Sequence, residues 1–223
     1  MFAGHIGVAL ALGRVERGVN VGALVAGALW LDAVLWAFIL LGWESVNIPA
    51  DFGATHQAEF VFPYSHGLAA AVGWTALAAA LALSGHARLA QVRWRAASLF
   101  AAAVFSHWLL DVLVHRPEMP LLGSGSATVG LGLWDRMVIA LVVEAALVVF
   151  GLLLFLPGSG LSRGKSIALA GLSLALLAFT AVGMTIAPAP PSASAMAASS
   201  LLTLAVVCAL FGWLGTAARA RQA

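Results

Sequence analysis

The sequence predicts an all-α membrane protein, a polytopic helix bundle with six transmembrane helices and a short, half-inserted helix at the N-terminus. Three observations lead to this fold class. Hydrophobic residues make up 62% of the 223 residues and charged residues only 9%, which is far outside the range of a soluble domain. Six segments reach or approach the roughly 20 apolar residues that a spanning helix needs. The basic residues are scattered in the short segments between these spans.

The N-terminal stretch MFAGHIGVALALG is apolar, but it ends at Arg14. About a dozen residues are too few to cross ~30 Å of hydrocarbon at 1.5 Å per residue. A signal peptide is a poor interpretation, because no basic region precedes the apolar run and no small-residue cleavage pattern follows it. We therefore predict a half-inserted or re-entrant helix that is buried against protein.

The longer apolar segments predict the rest of the bundle. They cover residues 18–43, 62–84, 96–114, 136–157, 165–187 and 199–217. A linker without charge, PAPPSASAMAASS, leads into the last span, which contains no ionisable residue. We predict a single integral membrane domain over residues 1–223, in which residues 1–157 form the bundle that carries the candidate site and residues 158–223 add two accessory transmembrane helices.

The charges of the connecting segments predict the orientation of the bundle. By the positive-inside rule, the side with most basic residues is cytoplasmic. These residues are Arg14, Arg17, Arg88, Arg93, Arg95, Arg163, Lys165, Arg219 and Arg221. The opposite segments carry Glu44, Asp51, Glu59 and Glu118, with Arg116 and Arg136 as their basic residues. We expect a multi-pass protein of a bacterial-type inner membrane with a cytoplasmic C-terminus.

The stretch SHWLLDVLVH places ionisable residues inside an apolar helix. His107, Asp111 and His115 follow one another at a spacing of four residues, which puts them on one stripe of the helix. Asp32, His66 and His5 come from other segments, and the predicted topology brings them to a similar depth in the outer half of the membrane. Because polar groups in hydrocarbon are costly, each of them is expected to have a partner.

Imidazole and carboxylate groups together are typical ligands of Zn²⁺, Fe²⁺ and Mn²⁺. The single cysteine, Cys208, excludes a cysteine-based zinc cluster. His107 and Asp111 emerge from one helix face and can therefore bind one ion together. We predict a divalent metal site, with zinc favoured over iron and manganese, formed by His5, Asp32, His66, His107 and Asp111, in which Asp32 and Asp111 are the candidate catalytic residues.

Four motifs resemble the YdjM-type inner-membrane metal-dependent hydrolases over roughly residues 1–135. They are AGH around His5, LWLDAV around Asp32, PYSHGL around His66, and FSHWLLDVLVHRPEMPL around His107 and Asp111. The resemblance implies metal-dependent hydrolysis. The chain departs from the family pattern in its lone Asp32 and in FVFPYSH, where members often have a second acidic residue and further histidines. His115 and Glu59 are the candidates for replacing the missing acidic and histidine groups.

The resulting prediction is a hydrolase that acts on an ester or phosphoester of a lipid or another amphiphilic substrate near the outer leaflet. Arg116 and Arg136 are candidates for holding a phosphate. Membrane lipid and an amphiphile are the expected partners. Nucleic acid is not, because the basic residues form no patch. The oligomeric state is left open.

Other functions also fit the sequence. His66 and His107 could be the axial ligands of a b-type haem in an electron-transfer bundle. The acids and histidines could instead relay protons in a transporter or scaffold, although only Glu144 offers a path toward the cytoplasmic side. As a structural alternative, His107 and Asp111 could form a hydrogen-bonded pair that joins two helices.

Overall fold

The computed structural model describes residues 1–84 and 90–216 of the chain, and Arg88, Arg219 and Arg221 of the predicted charge pattern lie outside these residues. The described part is mostly helical. Its helices are α1 Phe2–Leu12, α2 Val21–Ala28, α3 Trp30–Leu41, α4 Phe52–Thr55, α5 Leu68–Ser84, α6 Ala90–Val114, α7 Met137–Phe155, α8 Arg163–Thr185 and α9 Ala193–Leu214, with a short 3₁₀ helix at Leu133–Arg136.

Membrane-spanning length is reached by several of these helices. Within the described residues, Arg93–Val114, Leu133–Phe155, α8 and α9 are long and apolar enough to cross a membrane. The pair α2 and α3 adds a fifth span if its 49° bend lies within one crossing. The chain is therefore a helical membrane protein, as predicted.

The predicted number of six spans is not confirmed. The segment 18–43 is broken at Leu29, between α2 and α3. The segment 62–84 becomes helical only at Leu68, because residues 62–67 form a turn, so that α5 is a shorter apolar helix of 17 residues. Apolar composition alone does not distinguish these interruptions from continuous helix.

Helix α1 is only 11 residues long and lies buried against α7. The close approach depends on small residues, because a Cβ atom at Gly7 would overlap the backbone of Leu147 and one at Gly151 would overlap the backbone of Gly7. This packing brings His5, on the buried part of α1, into the interior of the bundle.

Two small antiparallel hairpins cover one end of the bundle, which we call the hairpin end. Strand β1 (Ser45–Asn47) pairs with β2 (Glu59–Val61), and β3 (Met119–Pro120) pairs with β4 (Thr128–Val129). The all-α prediction did not include them, since strands of two or three residues leave little periodicity in a sequence.

Basic residues connect the helices at the opposite end, which we call the basic end. The Arg17 guanidinium donates hydrogen bonds to the carbonyls of Phe155 and Pro157, at 2.6 and 2.7 Å, just where α7 ends. Lys165 Nζ, at the start of α8, donates to the carbonyl of Trp213 near the end of α9, at 3.1 Å. These contacts place the two basic residues at the ends of α7 and α9.

Candidate metal centre

The structure brings the five predicted metal ligands together. His5 comes from α1, Asp32 from the first turn of α3, His66 from the turn before α5, and both His107 and Asp111 from α6. The side chains of all of them are almost fully buried except that of Asp32, which is 22% exposed. We call this set the donor cluster.

Three donor atoms form a compact triangle at the centre of the cluster. Asp111 Oδ2 lies 3.0 Å from His107 Nε2 and 3.3 Å from His66 Nε2. The two Nε2 atoms are 3.1 Å apart. Ligands of a tetrahedral zinc ion with bonds of ~2.1 Å are about 3.4 Å from one another. The triangle therefore fits a small divalent ion with little rearrangement.

Asp32 and His5 lie on either side of this triangle. Asp32 Oδ1 is 3.6 Å from His107 Nε2 and 3.8 Å from His66 Nε2. The His5 ring stacks on the His107 ring with a centroid separation of 3.8 Å, and its Nε2 lies 3.2 Å from Asp111 Oδ1. Donor atoms of His5, Asp32 and His107 all lie within 4.8 Å of one another, as do those of the triangle.

Hydrogen bonds outside the cluster orient two of the histidines. His107 Nδ1 lies 2.6 Å from the carbonyl oxygen of Ala28, the last residue of α2. A carbonyl can only accept, so Nδ1 carries the proton, and in the neutral ring Nε2 presents its lone pair to the cluster. His66 Nδ1 is similarly 2.8 Å from Ser65 Oγ. Metal-binding histidines are usually held by such a bond at their other nitrogen.

His5 is the unsatisfied member of the cluster. Its side chain is 1% exposed, yet neither ring nitrogen has a hydrogen-bond partner among the residues that the structure describes. Buried polar groups are hydrogen-bonded in the great majority of cases, and an exception indicates a water, an ion or strain at that position. A cation bound between His5 and its neighbours would satisfy the ring.

Glu144 has a structural role that the sequence did not reveal. Its buried carboxylate accepts a hydrogen bond from the backbone N–H of Gly4 at 3.0 Å, and so binds the first turn of α1. The amino group of Met1 lies 3.2 Å from Asp111 Oδ1. An ionisable residue in the middle of an apolar span was the only sign of the Glu144 contact.

Glu44 fixes the turn that carries His66. Its Oε1 accepts hydrogen bonds from the backbone N–H groups of Tyr64 and Ser65, each at 2.8 Å. Burial raises the pKa of this carboxyl, while the hydrogen bonds from Ser65 and Tyr64 oppose the shift. Nothing in the sequence pairs Glu44 with a turn 20 residues away.

The secondary candidates lie toward the hairpin end. His115 Nε2 is 3.9 Å from Asp111 Oδ2, and its Nδ1 is 2.6 Å from Glu118 Oε1. Arg116 donates two hydrogen bonds to Asp135, at 2.9 and 2.7 Å. Glu59 is exposed and accepts a hydrogen bond from Asn47, and Arg136 is exposed just before α7. Neither arginine contacts the donor cluster through a described hydrogen bond.

Comparison of the chain with models of protein families, with curated proteins and with solved structures gave no match. The geometry of the cluster is therefore the basis for assigning a function.

Proposed function

We propose that the chain is a membrane-embedded, metal-dependent hydrolase that cleaves an ester or phosphoester of a lipid or another amphiphile. The observation that carries this proposal is the triangle of His66, His107 and Asp111, whose donor separations of 3.0 to 3.3 Å suit one divalent ion. Zinc is the preferred ion for such a set, and iron and manganese are alternatives.

The residues of the donor cluster have different proposed roles. When bound, a divalent ion acts as a Lewis acid and makes water available as a nucleophile near neutral pH. His66, His107 and Asp111 hold the ion, and His5 is a further ligand. Asp32, the most exposed member, is placed to take up at Oδ1 a proton of the water that adds to the carbonyl or phosphoryl centre, and to return it to the alcohol oxygen that leaves as the ester or phosphoester bond breaks.

The structural alternative, in which His107 and Asp111 form a hydrogen-bonded pair that joins two helices, explains fewer of the contacts in the donor cluster. A structural pair needs two partners, whereas Asp111 alone approaches His5, His66 and His107 within 3.3 Å. The haem alternative is less favoured by the distances. His66 Nε2 and His107 Nε2 are 3.1 Å apart and Asp111 lies against both, so a porphyrin between them would have to displace all three side chains.

The test is metal analysis of detergent-purified protein. We expect about one equivalent of zinc or another divalent ion in the wild type and a large loss in His107→Ala, since a ligand is removed. His56→Ala is the matched control, because His56 belongs to neither donor group, and it should retain its metal. A metal-free wild type with a visible Soret absorbance would replace this proposal with the haem alternative.

We further propose six crossings and a half-inserted α1 in a bacterial-type inner membrane, with the basic end and the C-terminus in the cytoplasm. The contacts of Arg17 and Lys165 with the ends of α7 and α9 support a common side for these basic residues.

Cysteine accessibility tests this orientation. In a Cys208→Ser background, a membrane-impermeant thiol reagent added to intact cells should label Asp51→Cys and leave Arg163→Cys unlabelled until the membrane is opened. The positive-inside rule is the reason. Labelling of Arg163→Cys alone in intact cells would reverse the proposed orientation.

A further inference from the structure

A cavity of about 570 Å³ adjoins the donor cluster at Asp32. Its walls come from Phe2 of α1, from Trp36 of α3, and from α8 and α9, including Phe179, Met184 and Met196. The volume lies within the range of ~300–1,000 Å³ that is usual for small-molecule sites. The two helices that the sequence predicted to be accessory therefore form one wall of a cavity that reaches the candidate metal centre.

The cavity is lined by α8 and α9 and by hairpin-end residues such as Phe52 and Gln57, and its lining ranges from buried to exposed side chains. Leu204, deep in its wall, is 6% exposed, whereas Phe179 is 56% exposed. Both helices have the length and composition of membrane spans. An opening between two such helices leads into lipid rather than into water, so a hydrocarbon chain can enter it sideways from the bilayer.

The lining also indicates which part of an amphiphile fits. It combines aromatic, methionine and leucine side chains with the polar groups of Gln57, Thr180, Ser199, Ser200 and Thr203, and methionine adapts well to irregular apolar shapes. Its ionisable groups belong to Asp32, Glu144, His56 and Met1, whose amino group lies 3.2 Å from Asp111 Oδ1, and no Lys or Arg of the described chain lines it. A phosphate or carboxylate would find no basic side chain on the α8 and α9 wall of the cavity, where an uncharged chain meets apolar side chains and a few hydroxyl groups.

We propose that this cavity binds one hydrocarbon chain of the substrate and places the adjoining ester or phosphoester beside Asp32. The proposal rests on the proposed hydrolase function and names its substrate class: a lipid-derived amphiphile whose chain lies against α8 and α9. The last turns of α8 and the first turns of α9, which line the cavity, then determine substrate specificity.

Gly183 provides a direct way to block the cavity. It lies in the cavity wall on α8, and a Cβ atom added there would meet nothing within 4 Å. A phenylalanine at this position can therefore occupy the cavity without displacing the backbone. Gly171 is the matched control, because it lies on the same helix and has the same free space but does not line the cavity.

The experiment uses a 16-carbon alcohol with a photoreactive diazirine near its methyl end, added to the detergent-purified protein. After irradiation, mass spectrometry locates the labelled residues. In the wild type we expect labels on Thr180, Met184, Met196 and Thr203, all in the cavity wall. Gly183→Phe should reduce them at least about tenfold, since it fills the site, and Gly171→Phe should leave them within about twofold.

Leu202 is an internal reference, because it is 67% exposed on α9 and does not line the cavity. Its label should be the same in all variants. A wild type labelled at Leu202 but not in the cavity would overturn the proposal and indicate a polar or polypeptide occupant. Equal cavity labelling in the wild type and Gly183→Phe would overturn it as well. If Gly183→Phe does not fold, Gly183→Leu makes the same test with a smaller side chain.

The outcome is separable from that of the metal test. Gly183→Phe should keep its metal, because it leaves every donor atom in place. His107→Ala should keep the cavity labels while it loses metal. A protein that binds the alcohol but no metal in any variant would contradict the proposed hydrolase and still show a chain-binding cavity.

Discussion

In the donor cluster, histidine and aspartate side chains face one another around a common centre. At the hairpin end, ionisable side chains instead form separate pairs of one base and one acid. There, His115 Nδ1 lies 2.6 Å from Glu118 Oε1, and Arg116 donates both of its described hydrogen bonds to Asp135. Within the cluster, Asp111 lies within 3.3 Å of ring nitrogens of His5, His66 and His107, yet neither ring nitrogen of His5 makes a hydrogen bond to a described residue.

This difference distinguishes polar residues with a structural role from polar residues that form a binding site. Each hairpin-end pair joins a base directly to an acid, so no cation is required to hold its two members together. In the cluster, His107 Nε2 and His66 Nε2 face each other at 3.1 Å, so the pair forms a hydrogen bond only if one of these nitrogens carries a proton. A divalent cation would accept both lone pairs together with the Asp111 carboxylate. The distinguishing features of the cluster are a carboxylate shared by several buried rings and a buried His5 ring that makes no hydrogen bond to a described residue.

The largest effect is expected from Asp111→Asn. The substitution keeps the size of the side chain but removes the charge that faces three histidines, so metal affinity should fall by at least about 100-fold while the helical fold is retained. Competition with a chelator measures the affinity, and circular dichroism in detergent checks the fold.

His115→Ala is the hairpin-end counterpart of that substitution. His115 is 3.9 Å from Asp111 and is already paired with Glu118, so its loss should weaken metal binding only a few-fold. If His115→Ala abolishes metal binding and Asp111→Asn leaves it intact, the ligand set is wrong and the site lies nearer the hairpin end.

An intermediate effect is expected from Ser65→Ala, which removes the group that holds His66 Nδ1 at 2.8 Å. Loss of such a supporting bond typically costs about 10–100-fold in metal affinity. Ser106→Ala is a matched control, because Ser106 also directly precedes a cluster histidine but bonds the carbonyl of Ala103. Equal effects of the two substitutions would show that Ser65 does not act through the His66 ring.

Much of the cluster was predictable from the sequence because its strongest cues are local or depend on composition. The four-residue spacing of His107 and Asp111 fixes a common helix face, and apolar segment lengths place His66 and Asp32 at a similar depth. No comparable sequence pattern predicts the helix break at Leu29. The break leaves the carbonyl of Ala28 at the end of α2, where it accepts a hydrogen bond from His107 Nδ1.

The contacts that Glu144 and Glu44 make with distant backbone groups were not predictable. Glu144 binds the backbone of Gly4 across 140 residues of sequence, and Glu44 binds the turn at Ser65. Both depend on how helices pack, which a single sequence does not encode as a local pattern. The same holds for the cavity between Asp32 and α9, because its lining comes from several helices and from hairpin-end residues that are far apart in the sequence.

The smallest effect is expected from Arg116→Ala at the hairpin end. The Asp135 hydrogen bonds raise the pKa of Arg116, but both side chains are 51% exposed, and an exposed ion pair contributes only about 0.2–1 kcal/mol to stability. Thermal unfolding in detergent should therefore show a small decrease in Tm that disappears at high salt, and Asp135→Asn should reproduce it. Metal content should be unchanged in both variants, because the described hydrogen bonds of Arg116 go to Asp135 and not to the donor cluster. If Arg116→Ala removes the metal, the Arg116–Asp135 pair and the donor cluster are energetically coupled. The proposed difference between the independent pairs at the hairpin end and the donor cluster is then wrong.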